Sequence, residues 1–344
     1  MALIKETQYT YKDVTIVPTV ISEIEHREEC NPYYEDGMLP LFTAPMDTVL
    51  NDENYSKFID NKINAIMPRT IPFELRKKYL INGCWVAFSL SEFEKIFCDK
   101  DKEIITINKV HALIDVANGH MKKIIELSKT AKSIYGDRIV IMAGNIANPD
   151  AYIEYAKAGI DYIRCGIGSG FGCLSTSNTG VHWPMASLID EIKKHKKDVE
   201  HWHKYSTSIY KSVPKIIADG GIRGFADAIK ALALGADYVM IGSVFAKMLE
   251  SAAPKEEIDG EMFATFYGMA SREGQIAMNG KKTKTSEGVK KLIKVEYTMS
   301  GWVENFTDYL RSSMSYTGNF TLDDFKNKTN LIVNSKNAVE VVNK

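Results

Sequence analysis

Eight short apolar runs, each separated from the next by a longer segment, constrain what this chain can fold into more than any other feature. They are Leu41-Phe42-Thr43-Ala44, Ile63-Asn64-Ala65-Ile66-Met67, Trp85-Val86-Ala87-Phe88, Ala112-Leu113-Ile114-Asp115-Val116, Ile139-Val140-Ile141-Met142-Ala143, Tyr162-Ile163-Arg164-Cys165, Lys215-Ile216-Ile217-Ala218 and Tyr238-Val239-Met240-Ile241. Nearly unbroken apolar runs suit strands covered on both faces, as in parallel sheets. The intervening segments have helical periodicity. From Met121 to Tyr135, residues Ile124, Ile125, Leu127, Ala131 and Ile134 fall near one stripe. Asn148 followed by Pro149 reads as a helix start, and the alanine-rich stretch Phe225 to Ala233 ends near Gly235. Strands alternating with helices predict an α/β fold, either a (β/α)8 TIM barrel or a doubly wound sheet.

The polar punctuation favours the barrel. Asp47, Asn118-Gly119, Gly144-Asn145, the glycine-rich stretch after Cys165, Asp219-Gly220-Gly221 and Gly242-Ser243 each follow a predicted strand. In a barrel they all meet on one face, where such enzymes work. We expect a single barrel domain over residues 1–344, since the third run begins only about 20 residues after the second and leaves no room for an inserted regulatory domain there. The long connection 246–300 is rich in Gly, Lys and Thr, and its residues 270–295 read as a mobile flap over that face. Residues 190–214 form a second long connection, basic and containing His195, His201 and His203.

The formal net charge of −1 gives no overall field to attract nucleic acid or an acidic membrane, and neither partner is expected. Five cysteines without a C-x-x-C pair argue against a disulfide framework or zinc site and for a reducing compartment. Met1-Ala2-Leu3-Ile4-Lys5-Glu6 lacks the apolar run of a signal peptide, and no stretch reaches the ~18 apolar residues of a membrane span. A cytoplasmic location is the expectation.

Chemistry concentrates in Gly166-Ile167-Gly168-Ser169-Gly170-Phe171-Gly172-Cys173. Four glycines in seven residues let the backbone turn sharply and approach a ligand closely. The loop ends a buried strand and presents one thiol, a good place to hold a nucleophile against a flat substrate. Cys165, within the strand, reads as core. The paired turns Asp219-Gly220-Gly221 and Gly242-Ser243, after the last two strands, can bind phosphate through backbone N–H groups. Asp219, an acid beside an anion site, suits ribose hydroxyls better than phosphate. Glu287 in Thr285-Ser286-Glu287-Gly288 reads by spacing alone as a surface acid. His182 reads as packed beside Trp183, and His201 and His203 as surface residues.

In combination and order, several motifs resemble those of the IMP dehydrogenase and GMP reductase family. They are Tyr11-Lys12-Asp13-Val14-Thr15-Ile16-Val17-Pro18, Ala44-Pro45-Met46-Asp47-Thr48-Val49, the Cys173 loop, Ile217-Ala218-Asp219-Gly220-Gly221, Val239-Met240-Ile241-Gly242-Ser243 and Phe266-Tyr267-Gly268-Met269-Ala270-Ser271. The resemblance runs from about residue 8 to about 335. It implies that Cys173 attacks C2 of the purine of a nucleoside monophosphate, and that a nicotinamide cofactor exchanges a hydride there. Asp219 would hold the ribose, and Gly220, Gly221, Gly242 and Ser243 the phosphate. Met269, Ser271, Lys284 and Ser286 would lie around the substrate, and Asp115, Ala117 and Asn118 around the cofactor. The carbonyls of Gly168, Gly170 and Cys173 would bind K⁺.

Dehydrogenases of the family resemble one another in an Arg-Tyr pair on the flap. Here the only arginine between 251 and 300 is Arg272, followed by Glu273. Leu113 to Gly119, Met142-Ala143-Gly144-Asn145, Thr179 to Pro184, Thr285-Ser286-Glu287-Gly288 and Leu310 to Gly318 resemble the reductase branch. That branch implies NADPH-dependent reductive deamination of GMP to IMP and ammonia in a cytoplasmic homotetramer, with Ser175 and Glu287 moving protons to the leaving amine. Two alternatives stay open: an IMP dehydrogenase (IMP to XMP with NAD⁺) or a divergent purine-nucleotide oxidoreductase, and a non-catalytic purine-nucleotide-binding barrel. Met67-Pro68-Arg69-Thr70, Leu174 beside the nucleophile, Lys284 and an insertion around 195–210 depart from the reductase pattern.

Overall fold

The computed structural model describes residues 6–99, 109–205, 207–281 and 285–342. Its strands are β1 (Val14–Val17), β2 (Leu41–Thr43), β3 (Ile66–Met67), β4 (Trp85–Phe88), β5 (Val110–Asp115), β6 (Ile139–Ile146), β7 (Tyr162–Cys165), β8 (Lys215–Asp219), β9 (Tyr238–Ile241), β10 (Lys255–Ile258), β11 (Glu261–Tyr267), β12 (Lys290–Lys294) and β13 (Asn330–Val333). Strands β2 to β9 form one eight-stranded parallel sheet in the order β2-β9-β8-β7-β6-β5-β4-β3. Its two ends meet at a parallel bridge between Phe42 and Asn64. There the Thr43 N–H donates to the Asn64 carbonyl (2.9 Å) and the Asn64 N–H to the Leu41 carbonyl (3.0 Å). The fold is a TIM barrel, and each of the eight apolar runs supplies one of its strands.

The two-residue period of each strand explains why the runs are apolar throughout. Trp85 and Ala87 point into the barrel with Tyr238 and Met240, while Val86, Phe88, Val239 and Ile241 pack outward against the helices. In β7, Ile163 and Cys165 belong to the outer core, which puts Tyr162 and Arg164 on the inside. By the same alternation Asp115 ends β5 and Asp219 ends β8 as inward residues. An ionic layer therefore caps the apolar barrel interior at the C-terminal ends of the strands.

The opposite end repeats one device twice. Gly159-Ile160-Asp161-Tyr162 and Gly235-Ala236-Asp237-Tyr238 each place an aspartate just before a strand. Asp161 Oδ2 accepts from the Ile141 N–H at 2.7 Å, and Asp237 Oδ2 from the Ile216 N–H at 2.7 Å. Each carboxylate thus takes over a backbone donor of the preceding strand. At four residues, this repeat is too short to stand out in the sequence.

Helices Lys122–Tyr135 and Phe225–Ala233 form where periodicity predicts them. The helix after Pro149 starts slightly later, as Ala151–Ala158; Asn148 Oδ1 accepts from the Asp150 N–H (3.0 Å) in the turn before it. Most of the basic connection 190–214 belongs to the 19-residue helix Met185–His203. The connection after β9 is more ordered than its composition suggests. Strands β10, β11 and β12 form an antiparallel sheet of their own, and helix Arg272–Asn279 lies between β11 and β12. The sequence signal was weak because β12, Lys290-Lys291-Leu292-Ile293-Lys294, buries only Ile293.

Candidate active site

The chain leaves β7 through Gly166 (φ +125°) and Gly168 (φ +76°), conformations that L side chains rarely adopt. A β-carbon on Gly168 would also fall on Thr176 Oγ1, so this turn requires glycine at that point. The loop brings Cys173 back over the barrel mouth, with its N–H on the Gly170 carbonyl at 3.0 Å. The thiol Sγ donates to Ser175 Oγ (3.3 Å), and Ser175 Oγ donates to Glu287 Oε2 (2.6 Å). Proton donors therefore run in one direction, from thiol to hydroxyl to carboxylate.

Backbone bonds on both sides hold Glu287 in place. Its N–H donates to the Ala270 carbonyl (3.0 Å), and its own carbonyl accepts from the Leu174 N–H (2.8 Å). The Val289 N–H reaches the Gly172 carbonyl (3.1 Å), and Cys173 and Gly288 form an antiparallel bridge. The segment that spacing alone reads as surface is thus strand-paired to the thiol loop. Leu174 contributes only its backbone to this pairing, so the replaced side chain leaves it intact.

Beneath the thiol lies the ionic layer. Buried Arg164 bonds Asp115 Oδ1 through Nη1 (2.7 Å) and Asp219 Oδ2 through Nη2 (2.8 Å) and Nε (3.1 Å). Asn145 Nδ2 adds a bond to Asp219 Oδ2 (2.7 Å), and Arg69 Nε one to Asp115 Oδ2 (3.0 Å). Burial alone would raise the Asp115 carboxyl, but Arg164 and Arg69 outweigh it and hold the group below the usual carboxylate range. Burial would likewise depress the Arg164 guanidinium, yet Asp219 and Asp115 keep it firmly charged. Sequence reasoning missed Arg164 and Asn145. The available signal was an arginine at an inward position of an apolar strand, since a buried charge must be paired.

These groups line a cavity of about 450 Å³. Its wall includes Cys173, Ser175, Glu287, Asp219, Gly220, Gly221, Gly242, Ser243, Met269, Asp115, Ala117, Gly168 and Gly170. Three other candidates lie off the wall. Ser271 is fully buried, and its Oγ accepts from the Gly274 N–H (3.1 Å) as the cap of helix Arg272–Asn279. Ser286 Oγ donates to the Gly288 carbonyl (2.9 Å), and Asn118 Oδ1 accepts from the His120 N–H (3.0 Å). Lys284 lies outside the described residues. Tyr267, also unassigned by the sequence, donates from Oη to Asp47 Oδ2 (3.0 Å) and ties β11 to the loop after β2. His182 meets the Ile167 carbonyl through Nδ1 (2.9 Å), and His201 and His203 are exposed.

Among the described residues no three His, Cys, Asp or Glu side chains gather as a metal site, and no helix is long and apolar enough to cross a membrane. The Gly168, Gly170 and Cys173 carbonyls come from one turn, and uncharged oxygen donors suit a monovalent cation better than a divalent one. The Gly170 carbonyl also accepts the Cys173 N–H, so a cation there would share it. Asp115 and Ala117 line the same cavity.

A family model described as the IMP dehydrogenase / GMP reductase domain matches residues 95–342, well over half of the chain. Curated relatives named GMP reductase align along almost the whole length. One from Staphylococcus carnosus is 29% identical over 339 residues, covering 94% of this chain and 96% of its own. One from Mesoplasma florum is 28% identical over 344 residues, covering 96% and 99%. One from Staphylococcus aureus is 29% identical over 339 residues, covering 94% and 96%.

Proposed function

We propose, from the premise that the chain belongs to the IMP dehydrogenase / GMP reductase family, that it is a GMP reductase. Members of this family bind purine nucleotides and use a nicotinamide cofactor. The reaction we assign is the conversion of GMP, NADPH and two protons to IMP, ammonium and NADP⁺. The observation that carries it is the thiol–hydroxyl–carboxylate line Cys173–Ser175–Glu287.

Asp219 Oδ2 is taken up by Arg164 and Asn145, which leaves Oδ1 to accept a ribose hydroxyl. Gly220, Gly221, Gly242 and Ser243 surround the 5′ phosphate, and Met269 lies against the base. Ser271 and Ser286 then act from behind the wall, by shaping the segments that carry Met269 and Glu287. Cys173 passes its proton through Ser175 to Glu287, and the thiolate adds to C2 of the purine. Glu287 returns a proton through Ser175 to the 2-amino group, which leaves as ammonia while the C2–S bond remains. A nicotinamide cofactor, when bound, supplies the hydride that C2 needs. Cys173 then departs as thiolate and frees IMP. Asp115, Ala117 and Asn118 are the residues we assign to the cofactor, with NADPH as donor. The Gly168, Gly170 and Cys173 carbonyls are those we assign to K⁺, which would brace the loop.

A dehydrogenase must instead activate water to release its product. The two arginines on the cavity wall, Arg69 and Arg164, are both committed to carboxylates, whereas Glu287 is in line with the thiol. On the same reading the enzyme works in the cytoplasm as a homotetramer, and five free thiols suit a reducing compartment. Incubation with GMP and NADPH, followed at the nicotinamide absorbance band, should show oxidation of the cofactor and release of ammonia. Turnover with IMP and NAD⁺ but none with GMP would overturn the assignment.

A further inference from the structure

The segment at the cavity mouth is strongly basic. Residues 272–294 hold seven lysines and arginines against two acids, although the whole chain has a formal net charge of −1. The rest of the molecule is therefore net acidic. The small antiparallel sheet at the base of this segment is polarised. Glu256, Glu257, Asp259 and Glu261 lie toward its β10–β11 turn, where Lys294 pairs with Glu261. Lys290 and Lys291 lie at the other end, opposite Tyr267 and Phe266. That end continues into Gly268 and Met269 of the cavity wall. Both lysines are exposed, and among the described residues neither forms an ion pair. Lys291 Nζ stands 4.2 Å from the ring centroid of Phe171 and 3.3 Å from its carbonyl oxygen. Phe171 is itself a wall residue, so this ammonium group is held at the rim.

The cavity wall offers an anion no such charge. Its ionisable side chains besides the thiol are Arg69 and Arg164 against Asp115, Asp219 and Glu287. Both arginines are paired with carboxylates, and Glu287 adds a further acid. With these groups ionised, the interior is net negative and opposes the entry of a dianion. Unpaired cations at a concave mouth reverse that field outside the wall and raise the local concentration of anions.

We infer that Lys290 and Lys291 form an electropositive rim that draws phosphate-bearing nucleotides to the cavity and sets their association rate. The inference rests on the reading that a purine mononucleotide occupies the cavity. The two lysines are specificity residues: they favour nucleotide over nucleoside in capture and take no part in the chemistry at C2.

The test measures association and dissociation of GMP and of guanosine by stopped flow, at fixed K⁺, with choline chloride setting the ionic strength. It compares the parent with Lys290→Gln/Lys291→Gln and with Lys157→Gln/Lys328→Gln, which removes the same charge from helices Ala151–Ala158 and Leu322–Lys328. At about 20 mM salt the rim variant should capture GMP about 3- to 10-fold more slowly than the parent, the lower end of what steering contributes. At about 500 mM, where the Debye length is only about 4 Å, the two should coincide. Association of guanosine should be the same in all three proteins, GMP dissociation should change little, and the helix variant should match the parent throughout. Equal GMP association at low salt would refute the inference. So would a slowing that persists at high salt, which marks a direct contact, or an equal slowing of the helix variant, which marks net charge alone. Equal slowing of guanosine means a distorted mouth and also refutes it. A parent protein that binds neither GMP nor IMP refutes the mononucleotide reading itself. A parent that binds GMP and a rim variant that matches it refute only the role of the two lysines.

Discussion

The two ends of the barrel use the same element, buried carboxylates paired with buried cations, for opposite purposes. At the N-terminal end of the strands Asp237 is saturated. It takes Lys196 (2.7 and 2.9 Å), Lys326 (3.2 Å) and the Ile216 N–H (2.7 Å). Aromatic rings fill the space around it: Tyr34, Tyr162 and Tyr238 pack together, and Lys215 Nζ lies 5.4–5.6 Å from all three ring centroids. At the C-terminal end Arg164 pairs Asp115 with Asp219, but a cavity opens above the layer and Ser169 Oγ is left unpaired. One end spends its polar groups on each other; the other sets its ionic layer against an open cavity. This is the division expected of TIM barrels, with stability at the bottom and chemistry at the top. Here it can be read from which buried polar atoms have partners.

The largest effect that would test this division is at the mouth. Replacing Glu287 by Gln keeps the shape and a hydrogen bond for Ser175 but removes the carboxylate that we propose takes the thiol proton. We expect kcat to fall by about 100- to 10,000-fold, the usual contribution of a positioned acid–base group, with KM for GMP little changed and the melting temperature at the parent value. A higher KM with unchanged kcat would remove Glu287 from the chemistry. The second effect is at the floor. Asp237→Ala leaves Lys196 and Lys326 without their shared carboxylate, and breaking a buried pair in this way costs about 3–5 kcal/mol. Denaturant unfolding should show that loss, while kcat per folded molecule stays at the parent value. A floor variant that changes kcat as strongly as it changes stability would abolish the division.

The strands of the barrel wall were legible in the sequence, and the ionic groups at the floor and at the mouth were not. Strands such as Trp85–Phe88 and Tyr238–Ile241 declare themselves because a strand covered on both faces can carry no polar residue cheaply. Cys165 and Cys173 could be separated for the same reason, one inside such a run and the other beyond a glycine loop. Arg164, by contrast, meets Asp115 and Asp219 across 49 and 55 residues. Only closure of the sheet, which places β5, β7 and β8 around one interior, brings them together. Ser271 shows the converse. The motif that carries it is legible, yet its hydroxyl is spent on capping a helix, a role that depends on where that helix starts. Glu287 needed the resemblance, because nothing local in Thr285-Ser286-Glu287-Gly288 reveals that the segment pairs with the thiol loop.

The smallest effect sharpens the comparison within the floor. Asp161 and Asp237 do the same structural work, each just before a strand and each accepting the N–H of the preceding one. They differ in their cations. Burial raises both carboxyls, but two lysines outweigh it at Asp237 and hold that group below the usual range. Lys132 alone does not outweigh it at Asp161, whose carboxyl is held above the usual range. An unfolded aspartate titrates near about pH 3.9, so the two must respond to acid with opposite sign. The stability that Asp237 contributes is fully present above about pH 4 and is lost as pH falls through its depressed value. The contribution of Asp161 is fully present below about pH 4 and diminishes as pH rises through its elevated value. Denaturant unfolding of Asp161→Asn and Asp237→Asn beside the parent, between about pH 3 and pH 7, measures this directly. The deficit of Asp237→Asn should grow with pH and level off above about pH 4, and that of Asp161→Asn should shrink as pH rises from there. Two deficits that move in the same direction would mean that cation number does not set the charge state of these paired positions.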